Sequence, residues 1–265
     1  MQTKNINEIK TFILDMDGTI YLGDQMIEGA IEFLKHLDAN NIRYLFLTNN
    51  SSKNRDAYQQ KLRRLGFEVD KTRIFTSGEA TAIYLKAINN KAKIYLLGTK
   101  DLEEEFTSHG FDIVKARDEK PDFVVLGFDT TLSYEKLWMA CDFIQDGVPF
   151  IATHPDINCP LAGGRYMPDA GAMIKLIEAS TGIAPTVIGK PSHHIVDAII
   201  DKYHLEKNEI AMVGDRLYTD IQLGVNSGIT SILVYSGETT TEAYQQSKIK
   251  ADFQFNSVKE IMEAL

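Results

Sequence analysis

Phe12-Ile13-Leu14-Asp15-Met16-Asp17-Gly18-Thr19-Ile20 is the stretch on which the reading of this chain turns. Its apolar start, Phe12 to Leu14, predicts a short buried strand. The strand ends in two aspartates spaced i, i+2, then a glycine that permits a tight turn. Two carboxylates at the end of a buried strand are costly unless a cation or strong hydrogen bonds hold them. A hard, oxygen-preferring cation such as Mg²⁺ suits such a pair. In an open α/β sheet, the C-terminal ends of strands are also where ligands bind. Alone, Asp-x-Asp-Gly is equally an ordinary solvated turn.

Working outward, apolar runs alternate with amphipathic ones. Strands are predicted at 43–48, 93–97, 123–127, 149–152, 210–214 and 231–235. Between them Ala30, Ile31, Phe33, Leu34 and Leu37 make one helical face. Ala172, Met173, Leu176 and Ile177 make a second, and Ile195, Val196, Ala198, Ile199 and Ile200 a third. Short buried strands alternating with helices predict parallel βαβ units and an α/β fold. Small-residue breaks fall at Thr76-Ser77-Gly78 and Ser180-Thr181-Gly182. The stretch between them, 79–182, reads either as an inserted domain or as part of one long doubly wound sheet; pattern alone leaves both open.

The bulk numbers narrow the class. The chain has 265 residues, 44% hydrophobic and 25% charged, which is ordinary globular composition. Its net charge of −9, with no basic stripe, argues against nucleic-acid binding. An anionic substrate stays compatible, because a bound metal inverts the local field. Two cysteines, Cys141 and Cys159, imply no disulfide framework. Residues 1–10 are polar without an apolar signal core, and no apolar run reaches membrane-spanning length. A cytoplasmic protein without membrane contact is the expectation.

Three further segments repeat the form of the first, a buried strand stopping at polar groups. They are Phe46-Leu47-Thr48-Asn49-Asn50-Ser51, Val187-Ile188-Gly189-Lys190-Pro191, and Ala211-Met212-Val213-Gly214-Asp215 continuing to Asp220. Singly, each reads as well as a turn, a surface charge or a helix cap. Together they supply what phosphoryl transfer needs: a nucleophile, an acid, a metal site and groups to neutralise phosphoryl oxygens.

The order Asp-x-Asp-Gly-Thr, Thr-Asn, Gly-Lys-Pro and Gly-Asp-x-x-x-x-Asp resembles the four motifs of the haloacid dehalogenase superfamily. Thr48-Asn49-Asn50-Ser51 and Gly189-Lys190-Pro191 resemble its type IIA branch, the NagD-like phosphatases. The resemblance implies a Rossmann-like doubly wound parallel-sheet core, residues 1–78 and 183–265, with an inserted α/β cap domain over 79–182. It implies Asp15 as nucleophile and Asp17 as acid and base. It implies Mg²⁺ held by Asp15, the Asp17 carbonyl and Asp215, with Asp220 in support. Thr48, the Asn49 amide and Lys190 then bind phosphate. Asp17 favours phosphate-ester hydrolysis, because dehalogenases of the superfamily lack an acid there.

Thr153-His154-Pro155-Asp156-Ile157-Asn158-Cys159-Pro160, followed by Pro168-Asp169-Ala170-Gly171-Ala172, is similar to the substrate-facing segment of NagD-like caps. It offers Asp156 and Asn158 to a leaving group, or else it is a proline-rich loop before a helix capped by Asp169. Met167, Met173 and Trp138 read as packing residues, and His193 and His194 as first-turn helix residues. The expectation is therefore a phosphatase acting on a small phosphorylated metabolite, a nucleotide monophosphate or a sugar phosphate first, with a homodimer through the cap implied by resemblance. The rival readings are a phospho-aspartate signalling module and an idle metabolite binder. Asp17 and the long insertion argue against the signalling module.

Overall fold

A computed structural model of the chain describes residues 4–265. They form two compact units. The first runs to Thr48 and adds Asp56–Phe75 and Lys190–Leu265; the second comprises Asn49–Arg55 and Thr76–Gly189.

The first unit is built on a six-stranded sheet. Its strands, in spatial order, are Phe253–Phe255, Thr230–Val234, Ile210–Gly214, Thr11–Leu14, Arg43–Thr48 and Ile74–Thr76. Neighbours from Phe253–Phe255 through Arg43–Thr48 pair in parallel. Thr11–Leu14, Ile210–Gly214 and Thr230–Val234 are buried at every position, as continuous apolar runs must be when helices cover both faces. The chain leaves the central strand Thr11–Leu14 in one direction and returns on its other side, which makes that strand the topological switch point. Helix Ala30–Ala39 buries Phe33, Leu34 and Leu37, and helix His194–Tyr203 buries Ile195, Val196 and Ile199. Phe12 meets Phe33 edge-on, with ring centroids 6.0 Å apart.

The second unit has its own sheet, five strands in the order Thr186–Val187, Phe150–Ala152, Phe123–Leu126, Lys93–Leu97 and Asp112–Ile113, all paired in parallel. Its core gathers Leu97, Val124, Leu126, Phe143, Ile144, Phe150, Ile174 and Ile177. Two separate parallel sheets replace the single long sheet that periodicity left open. The fold is α/β, a Rossmann-like core sheet with an inserted parallel α/β cap.

Along the chain the compact units change over at Asn49, Asp56, Thr76 and Lys190. Thr186–Val187 is the reason at the far end, since its ladder partner is Ile151–Ala152 of the second sheet. The proline-containing stretch after Ala152 is more ordered than a loop. Asn158–Leu161 pairs antiparallel with Arg165–Pro168 as a hairpin. Asp169 caps the following helix, Ala170–Thr181, by accepting from the Ala170 N–H. Met173 packs against the second core. Trp138, expected as packing, is instead exposed, with the Arg117 guanidinium 4.3 Å over its ring. A large aromatic face stays at a surface when a cation covers it.

Candidate active site

The register of the core sheet assembles the site. Leu14 lies opposite both Phe46 and Val213. Asp15, one residue beyond Leu14, and Thr48 and Asp215, two beyond Phe46 and Val213, therefore sit within one residue of the same level, at the carboxyl ends beside the switch point. Thr48 is buried there, and Asp17 is exposed in the loop after the central strand. In that loop the Gly18 N–H donates to the Tyr21 carbonyl at 2.8 Å. Gly18 has φ +86°, and a Cβ on it would lie 2.4 Å from Asp215 Oδ2, so both the turn and the close approach require glycine.

Lys190 draws the site together. Its ammonium donates to Asp15 Oδ1 and, at 2.7 Å, to Asp220 Oδ1. Asp220 also accepts from the Arg216 N–H at 3.1 Å through Oδ2, so both its oxygens are engaged. This follows from the turn Leu217–Ile221, whose wide, π-type winding folds Asp220 back on Arg216. Asp215 differs. Its Oδ2 accepts from the Glu238 N–H at 2.6 Å, while Oδ1 is buried with no hydrogen-bond partner among the described residues.

Charge is unbalanced here. Asp15, Asp215 and Asp220 offer oxygens all within 4.8 Å of one another, against one contacting ammonium. Burial, with Asp220 and Asp215 adding to it and Lys190 opposing, pushes the Asp15 carboxyl up to about 8. Burial and Asp220 push Asp215 up to about 6. For Lys190, burial works against the charge, but Asp15 and Asp220 outweigh it and hold the ammonium above its ordinary range. An orphaned buried carboxylate oxygen, hard anionic donors and excess negative charge suit a metal ion, so these residues fit one.

Asn49, Asp156 and Asn158 belong to the second unit. The Asn49 side-chain amide donates to Asp156 Oδ1 at 3.1 Å, and the Asn49 carbonyl accepts from the Ser77 hydroxyl. Asn158 is exposed on the hairpin, opposite Pro168. In the first unit, His193 precedes helix His194–Tyr203 and pairs with Asp197 at 2.7 Å.

A buried polar chain in the second unit leaves little mark in the sequence. Asp169 Oδ1 lies 2.9 Å from His154 Nε2, and His154 Nδ1 lies 2.9 Å from the Thr153 hydroxyl. That hydroxyl lies 3.0 Å from the Ser51 hydroxyl, which accepts from the Phe128 N–H at 2.9 Å. A histidine and an aspartate in one polar segment were the available signal; their pairing was not. In the first unit, Arg216 falls at an unspecified position of the Gly-Asp-x-x-x-x-Asp motif, and Glu238 lies outside every motif.

A core sheet with an acidic, lysine-bridged centre at its switch point, and a second α/β unit inserted in the chain, defines a class of hydrolase. Residues 12–112 match the haloacid dehalogenase-like hydrolase family, and residues 187–261 match the HAD-hydrolase-like family. An acid sugar phosphatase of Staphylococcus epidermidis is 37% identical over 249 residues, covering 94% of this chain and 95% of that protein. The crystal structure of a 4-nitrophenylphosphatase from Thermotoga maritima is 47% identical, with a TM-score of 0.92 over 97% of this chain and 98% of that one. A protein described as a putative NagD protein is 45% identical, with a TM-score of 0.91 over 98% and 99% of the two chains. The chain belongs to the haloacid dehalogenase-like hydrolases, in their NagD/p-nitrophenylphosphatase branch of type IIA. It is a phosphatase, a phosphoric monoester hydrolase. Among its described residues, no helix is long and apolar enough to cross a membrane.

Proposed function

We propose that this phosphatase hydrolyses small phosphorylated metabolites, sugar phosphates first and nucleotide monophosphates next, through a phosphorylated Asp15. The observation that carries the reading is Asp15 itself: a half-buried carboxylate bridged by Lys190 to the buried Asp220, at the switch point of the core sheet. The sugar phosphates rest on the similarity to acid sugar phosphatases.

Asp15 attacks phosphorus, a new O–P bond forms, and the ester O–P bond breaks. Asp17, exposed where a substrate can reach it, gives its proton to the departing oxygen. It then takes a proton from water as that water attacks phosphorus, and Asp15 is released with inorganic phosphate. Lys190 keeps its charge and neutralises both the nucleophile and the phosphoryl oxygens. Thr48 and the Asn49 N–H bind phosphoryl oxygens. Asp15, Asp215 and the Asp17 carbonyl would hold Mg²⁺, with Asp220 supporting through Lys190 and the Arg216 N–H. Bound there, the cation supplies charge neutralisation at the phosphoryl group. Asp156 and Asn158 of the second unit select the leaving group. Both units then fall in one catalytic cycle: the first performs the reaction and the second is the cap, which also offers a surface for a homodimer.

Phosphate release across a panel of sugar phosphates and nucleotide monophosphates tests this. We expect turnover that chelation abolishes and added Mg²⁺ restores, with Ca²⁺ a poor substitute because it favours more ligands and longer bonds. Full activity in excess chelator overturns the metal assignment. Absence of turnover on every ester in both classes overturns the substrate assignment.

A further inference from the structure

Asp215 is gripped by a segment outside all four motifs. Residues Ser236 to Thr239 follow the strand Thr230–Val234. From there the Glu238 N–H donates to Asp215 Oδ2 at 2.6 Å and the Thr239 N–H to the Asp215 carbonyl at 3.2 Å. The Ser236 hydroxyl donates to the Gly18 carbonyl at 2.8 Å, tying the same loop to the first motif. A Cβ on Gly237 would lie 2.1 Å from Asp215 Oδ2, so the loop passes too near that oxygen to admit a side chain. The loop engages one carboxylate oxygen and leaves the other, Oδ1, buried and unpartnered.

The loop is itself anchored by the turn that carries Asp215. Glu238 Oε2 pairs with Arg216 Nε at 3.0 Å and accepts from the Tyr218 hydroxyl at 3.2 Å. Arg216 and Tyr218 stand one and three residues beyond Asp215, so the turn holds the loop and the loop holds the carboxylate. We propose that Arg216, Tyr218 and Glu238 are positioning residues, a latch that sets the Asp215 carboxylate with Oδ1 presented to the cation. The proposal rests on the metal reading above.

Charge gives the latch a distinctive sign. A guanidinium stays charged, and a fixed cation beside a cation site weakens metal binding by repulsion. If Arg216 acted only through its charge, Arg216→Ala would tighten Mg²⁺ binding. If it acts through the latch, the same variant weakens it. Gly237→Ala supplies a second, uncharged probe, because its methyl group displaces Asp215 Oδ2 without altering the field.

The experiment is calorimetric titration of Mg²⁺ into the chelator-stripped full chain, for wild type, Arg216→Ala and Gly237→Ala. It is paired with the metal-free melting temperature and with kcat at saturating Mg²⁺. We expect both variants to weaken Mg²⁺ by about ten- to a hundredfold, the range seen when outer partners of metal ligands are removed. We expect the metal-free melting temperature to stay near that of wild type and most of kcat to return at saturating Mg²⁺. If wild type binds no Mg²⁺, the metal reading fails and the latch with it. If wild type binds and either folded variant binds equally well or better, the latch alone is overturned. Loss of kcat at saturating Mg²⁺ together with a large fall in melting temperature assigns these residues a merely structural role and also overturns it. Should Arg216→Ala not fold, Gly237→Ala decides by the same criteria.

Discussion

The acidic centre of the first unit and the hairpin Asn158–Pro168 of the second solve opposite problems. At the centre nearly every polar atom is specified: Lys190 bridges two carboxylates, Asp220 is engaged at both oxygens, and Asp215 is engaged at one. The hairpin carries Leu161 and Tyr166 exposed, and Asn158 open to solvent. Buried charge tolerates little displacement, because an ion left unpaired in the interior is strongly destabilising. An exposed hairpin has no such constraint. The pairing of roles proposed here follows that difference: the phosphoryl group shared by every substrate goes to the rigid centre, and the variable leaving group to the hairpin.

The hardest test of that division is Asp15→Asn, which keeps the shape and removes the attacking anion. Turnover of every ester should fall on the order of 10⁴-fold or more, with the circular dichroism of the fold retained. Activity near that of wild type would break the assignment of the centre. Asp17→Asn probes an exposed residue of the same loop. Formation of the phosphoenzyme from sugar phosphates should slow by about 10²–10⁴-fold, and by much less from p-nitrophenyl phosphate, whose leaving group needs little protonation. Rapid-quench kinetics with equal slowing for both esters would remove Asp17 as the acid.

Asp156→Ala and Asn158→Ala address the other region. They should reorder the kcat/KM values of sugar and nucleotide phosphates by roughly 1–3 kcal/mol in discrimination, the size of one or two lost hydrogen bonds. Acetyl phosphate should be affected far less. An equal loss on all esters would place these residues with the shared chemistry, erasing the comparison. Asp156 also accepts the Asn49 amide, so its variant should show the larger share of any uniform loss.

The smallest effect expected is thermal. Asp15 and Asp215 are raised from 3.8 to about 8 and about 6. Between about pH 4 and 8 the metal-free folded chain therefore binds more protons at these groups than the unfolded chain does. Stability falls with pH wherever the folded state holds the excess. Their contribution is complete near pH 4 and is lost as pH climbs through 6 and 8. The metal-free melting temperature should rise by a few degrees from pH 8 to pH 5, and saturating Mg²⁺ should flatten that slope. A metal-free melting temperature that climbs from pH 5 to 8 would contradict the charge imbalance described here.

Much of this was legible before any coordinates, for local reasons. A buried strand and the polar groups that end it are adjacent in the chain. Asp15, Thr48, Lys190 and Asp215 could therefore each be read from apolar runs that stop abruptly, and their order carried the family resemblance. Helices were read from their apolar faces. Arg216 shows the limit: it stands at an unspecified position of the fourth motif, yet its partner Glu238 lies on another strand's exit loop.

The α/β class and the acidic strand ends can be read along the chain alone, because burial period and turn chemistry are local properties. Which strands share a sheet is set by long-range packing. It placed Thr186–Val187 in the second sheet, past the break at Gly182. It put Asn49 with Asp156 and His154 with Asp169, and it laid the Ser236–Thr239 backbone on Asp215. Each of these joins groups brought together by sheet register and close packing, and neither leaves a period in the chain.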